Sequence, residues 1–401
     1  MIKVAYGSIP KEGGTYSFFL NHRDILKSFG IELYCVTVGY QSNLLVNKNF
    51  HSEGCIYLAK NEFRLEKQAI KFVEWAKREN IQVVIPVNSE PMNASVTLLP
   101  KRVKIISRVA NSFKLGYQIA TEYDNYIHQY VILNSKSEFD LLNLGIQKNK
   151  ITKIPNGFDL SQLNFEDTGN SGKDDDLFYH SNAIQIGFVG RLEHNQKGVF
   201  HLKPILEELD KLGVKYKLDI VGTGKDKNKL EQELGHHIEK NLVSLVGGLN
   251  RSELLKYYQK FDVLLFPSHF EGMSNVLIES LCSGNYLISW NLKGITDEII
   301  DDHSGKVFEM ADYIGIANEL SQLNLQELRE GSINRRMKNQ TRFSHLVSAE
   351  SYAGLIKELL KNDEFQNDRD VSDFKFKRPS YSSSDLKSLM FALKRYYFDR
   401  A

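Results

Sequence analysis

The most constraining feature of this chain is a strict alternation of short apolar segments with helical ones, run through twice. In the first run, Ile2–Tyr6 is a buried strand, and the turn after it holds Gly7, Pro10, Gly13 and Gly14. A helical stretch over about 16–29 is closed by Gly30, and a strand follows at 32–37. A helix over 62–78 leads to a strand at 82–86, with further strands at 103–107, 131–133 and 151–154. Strands separated by helices call for parallel βαβ units with right-handed crossovers.

Residues 164–180 (NFEDTGNSGKDDDLFYH) break the pattern, being polar and acidic without periodicity. The alternation restarts with strands expected at 184–189, 217–221, 242–246, 263–267, 286–289 and 305–308. The chain of 401 residues exceeds what one core usually organises. The expected α/β architecture is therefore two Rossmann-like, doubly wound domains facing each other across a cleft. Their boundaries are 1–163, a linker over 164–183, a second domain over 184–342, a helix over 343–362 returning to the first domain, and a tail over 363–401. Ligands bind such sheets beyond the carboxyl ends of the strands.

Composition removes several alternatives. Fifty-one Lys and Arg against fifty Asp and Glu leave a net charge of +1, so no global basic field recruits nucleic acid. Cys35, Cys55 and Cys282 stand far apart with no metal-ligand spacing, which fits a reducing compartment. The opening Met1–Tyr6 is a strand rather than a signal segment, and apolar runs such as Val263–Phe266 are too short to span a bilayer. The expected location is the cytoplasm, extending to the inner face of a membrane.

Two segments carry chemistry. Between Phe266 and Glu279 a buried strand ends, a loop presents Glu271 and Gly272, and a helix begins near Ser274 or Asn275. A helix start offers unpaired N–H groups and a positive dipole end to an anion. Gly272 lets a ligand approach the backbone, and Glu279 lies about one turn into the helix. The two glutamates can grip separate hydroxyl-bearing parts of one anionic molecule; alternatively, Glu271 is solvated and Glu279 only supports the helix start. In the second segment, Arg191 and Lys197 follow the strand 184–189. Arg supplies a planar fork and Lys a point charge, so together they suit a diphosphate, although two surface cations are the alternative.

Gly190-Arg-Leu followed by Lys197-Gly, then Val221-Gly-Thr-Gly224, then Glu271 and Glu279 eight residues apart resemble the retaining GT-B glycosyltransferases of family 4, glycosyl transferases group 1. Ile154-Pro-Asn-Gly-Phe-Asp159 is similar to the segment that ends the family's N-terminal domain. The resemblance covers about residues 1–362 and is densest over 184–300. It implies that Arg191 and Lys197, with Gly190 beside them, hold the donor diphosphate without a metal. Glu279 would bind the nucleotide ribose and Glu271 the transferred sugar, with backbone around Gly272, Met273, Ser274 and Asn275 reaching phosphate or sugar oxygens. Gly13 and Gly14 resemble the family's glycine loop near the diphosphate and sugar.

The resemblance further implies transfer of a hexose-type sugar, with retention, from a nucleoside diphosphate sugar to a glycan or lipid-linked acceptor. A UDP-sugar is favoured and no cofactor is needed. Surface polysaccharide synthesis in a bacterium is the expected setting. A sugar-nucleotide epimerase of the same architecture and a noncatalytic sugar-nucleotide-binding subunit are the rival readings.

One departure is plain. Where many family members have a His after a mid-domain strand, this chain has Ser107 and Arg108. Arg108 then either contacts an anionic substrate or is a surface cation. His194 is expected to be a loop residue rather than a ligand, and Asp174–Asp176 a solvated charge run rather than a metal motif. In the tail, Leu386, Leu389, Met390, Leu393 and Tyr397 share one helical face. That face would contact a membrane surface, or else dock on the protein itself or on a dimer partner.

Overall fold

The computed structural model describes residues 1–10, 14–39, 54–87, 89–110, 112, 114–162 and 182–361. They divide into two compact units, Met1–Ile132 with Glu138–Ile154 and the chain from Ala349 onward, and Leu133–Ser137 with Pro155–Ser348. The boundary expected at 163 thus falls at Pro155. The stretch 163–181, with Asp174–Asp176, and the tail from 362 onward lie outside the described residues, as does Gly13.

The first unit contains β1 (Ile2–Gly7), β2 (Ile31–Val38), β3 (Cys55–Leu58), β4 (Val83–Ile85), β5 (Lys104–Val109), β6 (Gln129–Ile132) and β7 (Ile151–Lys153). All pair in parallel, in the order β3-β2-β1-β4-β5-β6-β7. Successive residues of a strand face opposite sides, so a parallel sheet with both faces covered needs continuous apolar strands. Ala5 accordingly joins the core layer of Phe72, Met92 and Tyr130, while Val4 and Tyr6 join that of Phe19, Leu26 and Tyr352. Helix Leu65–Arg78 turns Ala69, Phe72, Val73 and Ala76 inward, the spacing of a single helical face. β3 has no counterpart in the sequence reading. It is a four-residue edge strand with a single fully buried residue, Cys55, and too short for periodicity to reveal.

The second unit contains β8 (Ile184–Val189), β9 (Tyr216–Val221), β10 (Val243–Gly247), β11 (Val263–Phe266), β12 (Tyr286–Trp290) and β13 (Gly305–Phe308). They form a parallel sheet in the order β10-β9-β8-β11-β12-β13. β11 is buried along its whole length, and helix Leu202–Lys211 covers one sheet face with Leu202, Ile205, Leu206 and Leu209. On the other face helix Asn275–Ser283 buries Leu277, Ile278 and Leu281 against Leu264 and Phe266. Helix His345–Lys361 lies where the returning helix was expected, and its residues from Ala349 belong to the first unit. All three cysteines are buried free thiols.

Candidate active site

β8 and β11 are neighbours at the point where the order of the second sheet reverses. Connections leaving two such strands go to opposite faces, so their carboxyl ends open a crevice, the usual ligand site of a doubly wound sheet. Residues following Val189 and Phe266 converge there.

Backbone contacts fix the loop after β8. Gly190 N–H donates to the Val221 carbonyl at 3.0 Å, and Leu192 N–H to that of Thr223 at 2.9 Å. The approach is close enough to require glycine: a Cβ on Gly222 would lie 1.8 Å from the Gly190 oxygen, and one on Gly224 would lie 2.3 Å from that of Leu192. Val221-Gly-Thr-Gly224 is therefore where one loop packs against another. Gly198, at φ 64°, brings the same loop onto the end of β11; a Cβ there would sit 1.9 Å from the Pro267 oxygen. His269 N–H completes the junction by donating to the Gln196 carbonyl at 2.8 Å.

The junction joins Lys197 to Glu271. Lys197 Nζ lies 2.6 Å from Glu271 Oε1, with side-chain exposures of 11% and 8%, and it also stands 5.3 Å from the centre of the Phe266 ring. Arg191 remains outside this pair, 59% exposed. Glu193 Oε2 at 3.1 Å and Gln196 Oε1 at 2.5 Å hold its guanidinium fork.

Glu279 faces inward. Arg251 Nη1 donates to its Oε1 at 3.0 Å, and the Tyr258 hydroxyl donates to its Oε2 at 3.2 Å. Burial pushes its pKa above the usual carboxylate range, and the Arg251 charge with both hydrogen bonds offsets part of that rise. Glu271 is buried, not the solvated residue of the alternative reading, and Glu279 spends its oxygens on Arg251 and Tyr258.

The intervening loop and helix start are anchored by two asparagines. Asn134 Nδ2 donates to the Gly272 carbonyl at 2.8 Å. Asn156 sends its backbone N–H to Met273 Sδ at 3.2 Å and its Nδ2 toward Met273 O at 3.4 Å and Asn275 Oδ1 at 3.3 Å. Ser274 precedes the helix without capping it through its hydroxyl. Helix Asn275–Ser283 begins four residues after Glu271, and the first N–H groups of a helix are a usual place for an anion.

Residues 174–343 match the family described as glycosyl transferases group 1. Over that stretch the chain is similar to a glycosyltransferase domain. The matched stretch includes Arg191, Lys197, Glu271 and Glu279, and it ends at the last residue before Ser344. The capsular polysaccharide biosynthesis glycosyltransferase CapM of Staphylococcus aureus is 27% identical over 224 residues, which are 54% of this chain and 58% of CapM. An α-1,4-N-acetyl-D-galactosaminyltransferase of Campylobacter jejuni, named for an undecaprenol-diphosphate-linked acceptor, is 35% identical over 175 residues, 43% of this chain and 47% of that protein. The chain thus spans about half the length of these curated relatives.

Solved structures extend the likeness of fold along the chain. A glycosyltransferase from Rickettsia africae superposes with TM-score 0.68 at 17% identity, covering 90% of this chain and 99% of that one. HepE of Anabaena, solved with UDP, gives 0.71 at 13% identity, covering 89% and 100%. The chain has the GT-B fold, two parallel-sheet Rossmann-like domains.

Two residues singled out in the sequence lie outside the matched stretch. Gly14 opens helix Gly14–Ser28 of the first unit. Arg108, also in the first unit, is 3% exposed, so it is not a surface cation. Its Nε donates to the Tyr352 hydroxyl at 3.1 Å, and its guanidinium stacks 4.5 Å from the centre of Phe18. Arg251, Tyr258 and Asn134 escaped the sequence reading. Asn156 falls within Ile154–Asp159, whose resemblance to the family assigns it no role. Each acts on a residue far from it in sequence, so local spacing carries no trace of its role.

Proposed function

We propose that this chain is a retaining glycosyltransferase of family 4 that transfers a hexose-type sugar from a UDP-sugar to a hydroxyl of a glycan or lipid-linked acceptor. The observation that carries the reading is the Lys197–Glu271 pair at the meeting point of β8 and β11, beside the start of helix Asn275–Ser283 and the exposed Arg191. The bond between the anomeric carbon and the phosphate oxygen breaks, and negative charge gathers on the departing diphosphate. Arg191, Lys197 and the helix N–H groups are fixed before reaction and stabilise that charge without rearranging. The acceptor oxygen attacks the same face, and its proton passes to the departing phosphate oxygen. Glu271, in contact with Lys197, is assigned to sugar hydroxyls, and Glu279 to the ribose. Arg108 is assigned to the first unit's core.

The reading needs no cofactor, so turnover is expected to survive EDTA; loss of activity restored by Mn²⁺ would count against it. CapM is named for capsular polysaccharide and the Campylobacter enzyme for a lipid-linked acceptor, which supports a surface-polysaccharide setting and a place at the cytoplasmic membrane face. No helix of the described residues is long and apolar enough to cross a membrane. Contact would then fall to the tail, and deleting 371–401 should weaken binding to anionic liposomes; altered oligomer size would mark dimerisation instead.

The deciding experiment screens nucleotide sugars by thermal shift, because a ligand of the native state stabilises it by mass action. The stabilising donor is then incubated with and without acceptor glycans, and the product's anomeric configuration is read by NMR. Transfer with retention supports the reading. A changed donor formed without acceptor would identify an epimerase, and binding without any turnover a noncatalytic subunit.

A further inference from the structure

We propose that His194, His201 and His269 form a binding site for a divalent transition-metal ion of the Zn²⁺ type, separate from the sugar-transfer chemistry. The three residues stand on different elements: the short helix His194–Lys197, the turn before helix Leu202–Lys211, and the loop after β11. One ring nitrogen from each lies within 4.8 Å of the other two, and all three side chains are partly buried. Ring centres are 5.2 Å apart for His194 and His201, 5.0 Å for His194 and His269, and 4.9 Å for His201 and His269.

The hydrogen bonds specify the lone pairs. His269 Nδ1 lies 3.2 Å from the Asn195 carbonyl, which can only accept, so His269 carries its proton on Nδ1 and presents a bare Nε2. His201 Nε2 lies 2.7 Å from that nitrogen and so donates to it, while His201 Nδ1, 2.8 Å from the Tyr313 hydroxyl, accepts. Two nitrogens on a tetrahedral ion at about 2.0–2.1 Å are about 3.3 Å apart, so a small separation of the rings admits the ion.

On binding, the His201 proton moves from Nε2 to Nδ1, where the Tyr313 hydroxyl turns to accept it. His194 Nδ1 accepts from the Phe200 N–H at 3.2 Å. Its Nε2 proton likewise moves to Nδ1, which can then no longer accept from the Phe200 N–H, so the ring must turn to part the two donors and that long bond is exchanged for a metal bond. No proton is lost overall. A carbonyl and a hydroxyl behind two of the rings are the outer partners that orient ligating imidazoles. Three imidazoles without a carboxylate favour Zn²⁺, Cu²⁺ or Ni²⁺ over Mg²⁺ or Ca²⁺. The ion would tie the loop bearing Arg191 and Lys197 to the loop bearing Glu271, a link that does not depend on the transfer reading.

The test uses the full chain without an affinity tag, stripped with chelator and desalted. Zn²⁺ is titrated by calorimetry and Co²⁺ by visible absorption, where tetrahedral ligation gives strong d–d bands. We expect one ion per chain. His201→Gln and His269→Gln should each weaken Zn²⁺ by more than about a hundredfold, and Tyr313→Phe by about tenfold, the range of an outer partner. His303→Ala, at an exposed turn, should bind as wild type does. Circular dichroism establishes that each variant is folded. Absence of a tetrahedral Co²⁺ spectrum in the wild type, or unchanged Zn²⁺ affinity in the folded His201→Gln/His269→Gln double variant, would overturn the proposal and leave the histidines a hydrogen-bonded strut.

Discussion

Lys197 Nζ and Glu271 Oε1 meet at 2.6 Å across 74 residues of sequence, with both side chains almost fully buried. Such a pair is costly to split, because the survivor is an uncompensated charge away from water. Lys197→Ala should therefore lower unfolding free energy by about 3 kcal/mol, with Glu271→Ala close behind. Lys197→Met/Glu271→Leu should cost less than either, since no charge is stranded. Adding Lys197→Ala/Glu271→Ala closes a double-mutant cycle with the two single variants, and urea unfolding reads it; additive losses would show that the pair is not coupled. Turnover should separate from stability. Every variant should lose at least about a hundredfold, the scale of one transition-state contact.

Gly198 and Gly213 both have positive φ, 64° and 67°, but their surroundings differ. A Cβ on Gly213 meets nothing within 4 Å, whereas one on Gly198 would overlap the Pro267 oxygen at 1.9 Å. Gly213→Ala should cost about 1 kcal/mol, the intrinsic penalty of the left-handed conformation. Gly198→Ala should cost about 3 kcal/mol or more and should also reduce turnover, because relief of the overlap separates Lys197 from Glu271. Thermal melts and steady-state rates of the two variants test the contrast.

These two cases also show what a sequence can disclose. The strand containing Leu264 and Leu265 and the helix starting at Asn275 are legible because burial on both faces and a helix start leave local patterns. That Arg191, Lys197 and Glu271 follow strand ends is legible, because the strands before them leave local patterns. That Lys197 binds Glu271, or that Arg251 binds Glu279, is not legible, since each partner arrives on another strand connection. Gly198 and Gly222 read as motif letters, but their necessity comes from carbonyls of Pro267 and Gly190 that only the fold brings near.

Asn134 and Asn156 test whether a scaffold contact sets catalytic geometry. Asn134 ties down the Gly272 carbonyl, and Asn156 spans Met273 and Asn275. Either substitution to Ala should cost about 1–2 kcal/mol, the value of a buried hydrogen bond lost with its acceptor left behind. Neither residue is assigned to the donor, so the proposed effect on rate is indirect. A displacement of the helix start by a fraction of an ångström should lower kcat by about tenfold or more while shifting KM less. A variant that melts early yet keeps wild-type kcat would limit the asparagines to stability.

Glu279 gives a pH signature. Burial raises its pKa in the folded protein above the ordinary 4.5, so the folded state binds this proton more tightly than the unfolded one. The resulting stabilisation is fully present below the ordinary value and is lost as pH rises through the folded value. At neutral pH the ionised carboxylate is therefore a net cost, reduced by Arg251 and Tyr258. Glu279→Gln resembles the protonated acid in shape, and the Tyr258 hydroxyl can turn to accept from the amide. Its melting temperature should exceed that of the wild type at pH 7, and the two should converge as pH falls below about 4.5. Arg251→Ala removes the compensating charge and should do the reverse, falling furthest below wild type at neutral pH and recovering on acidification. Melting temperatures from pH 4 to 8 decide the matter, and a pH-independent gap in both variants would mean that Glu279 titrates as an ordinary exposed carboxylate.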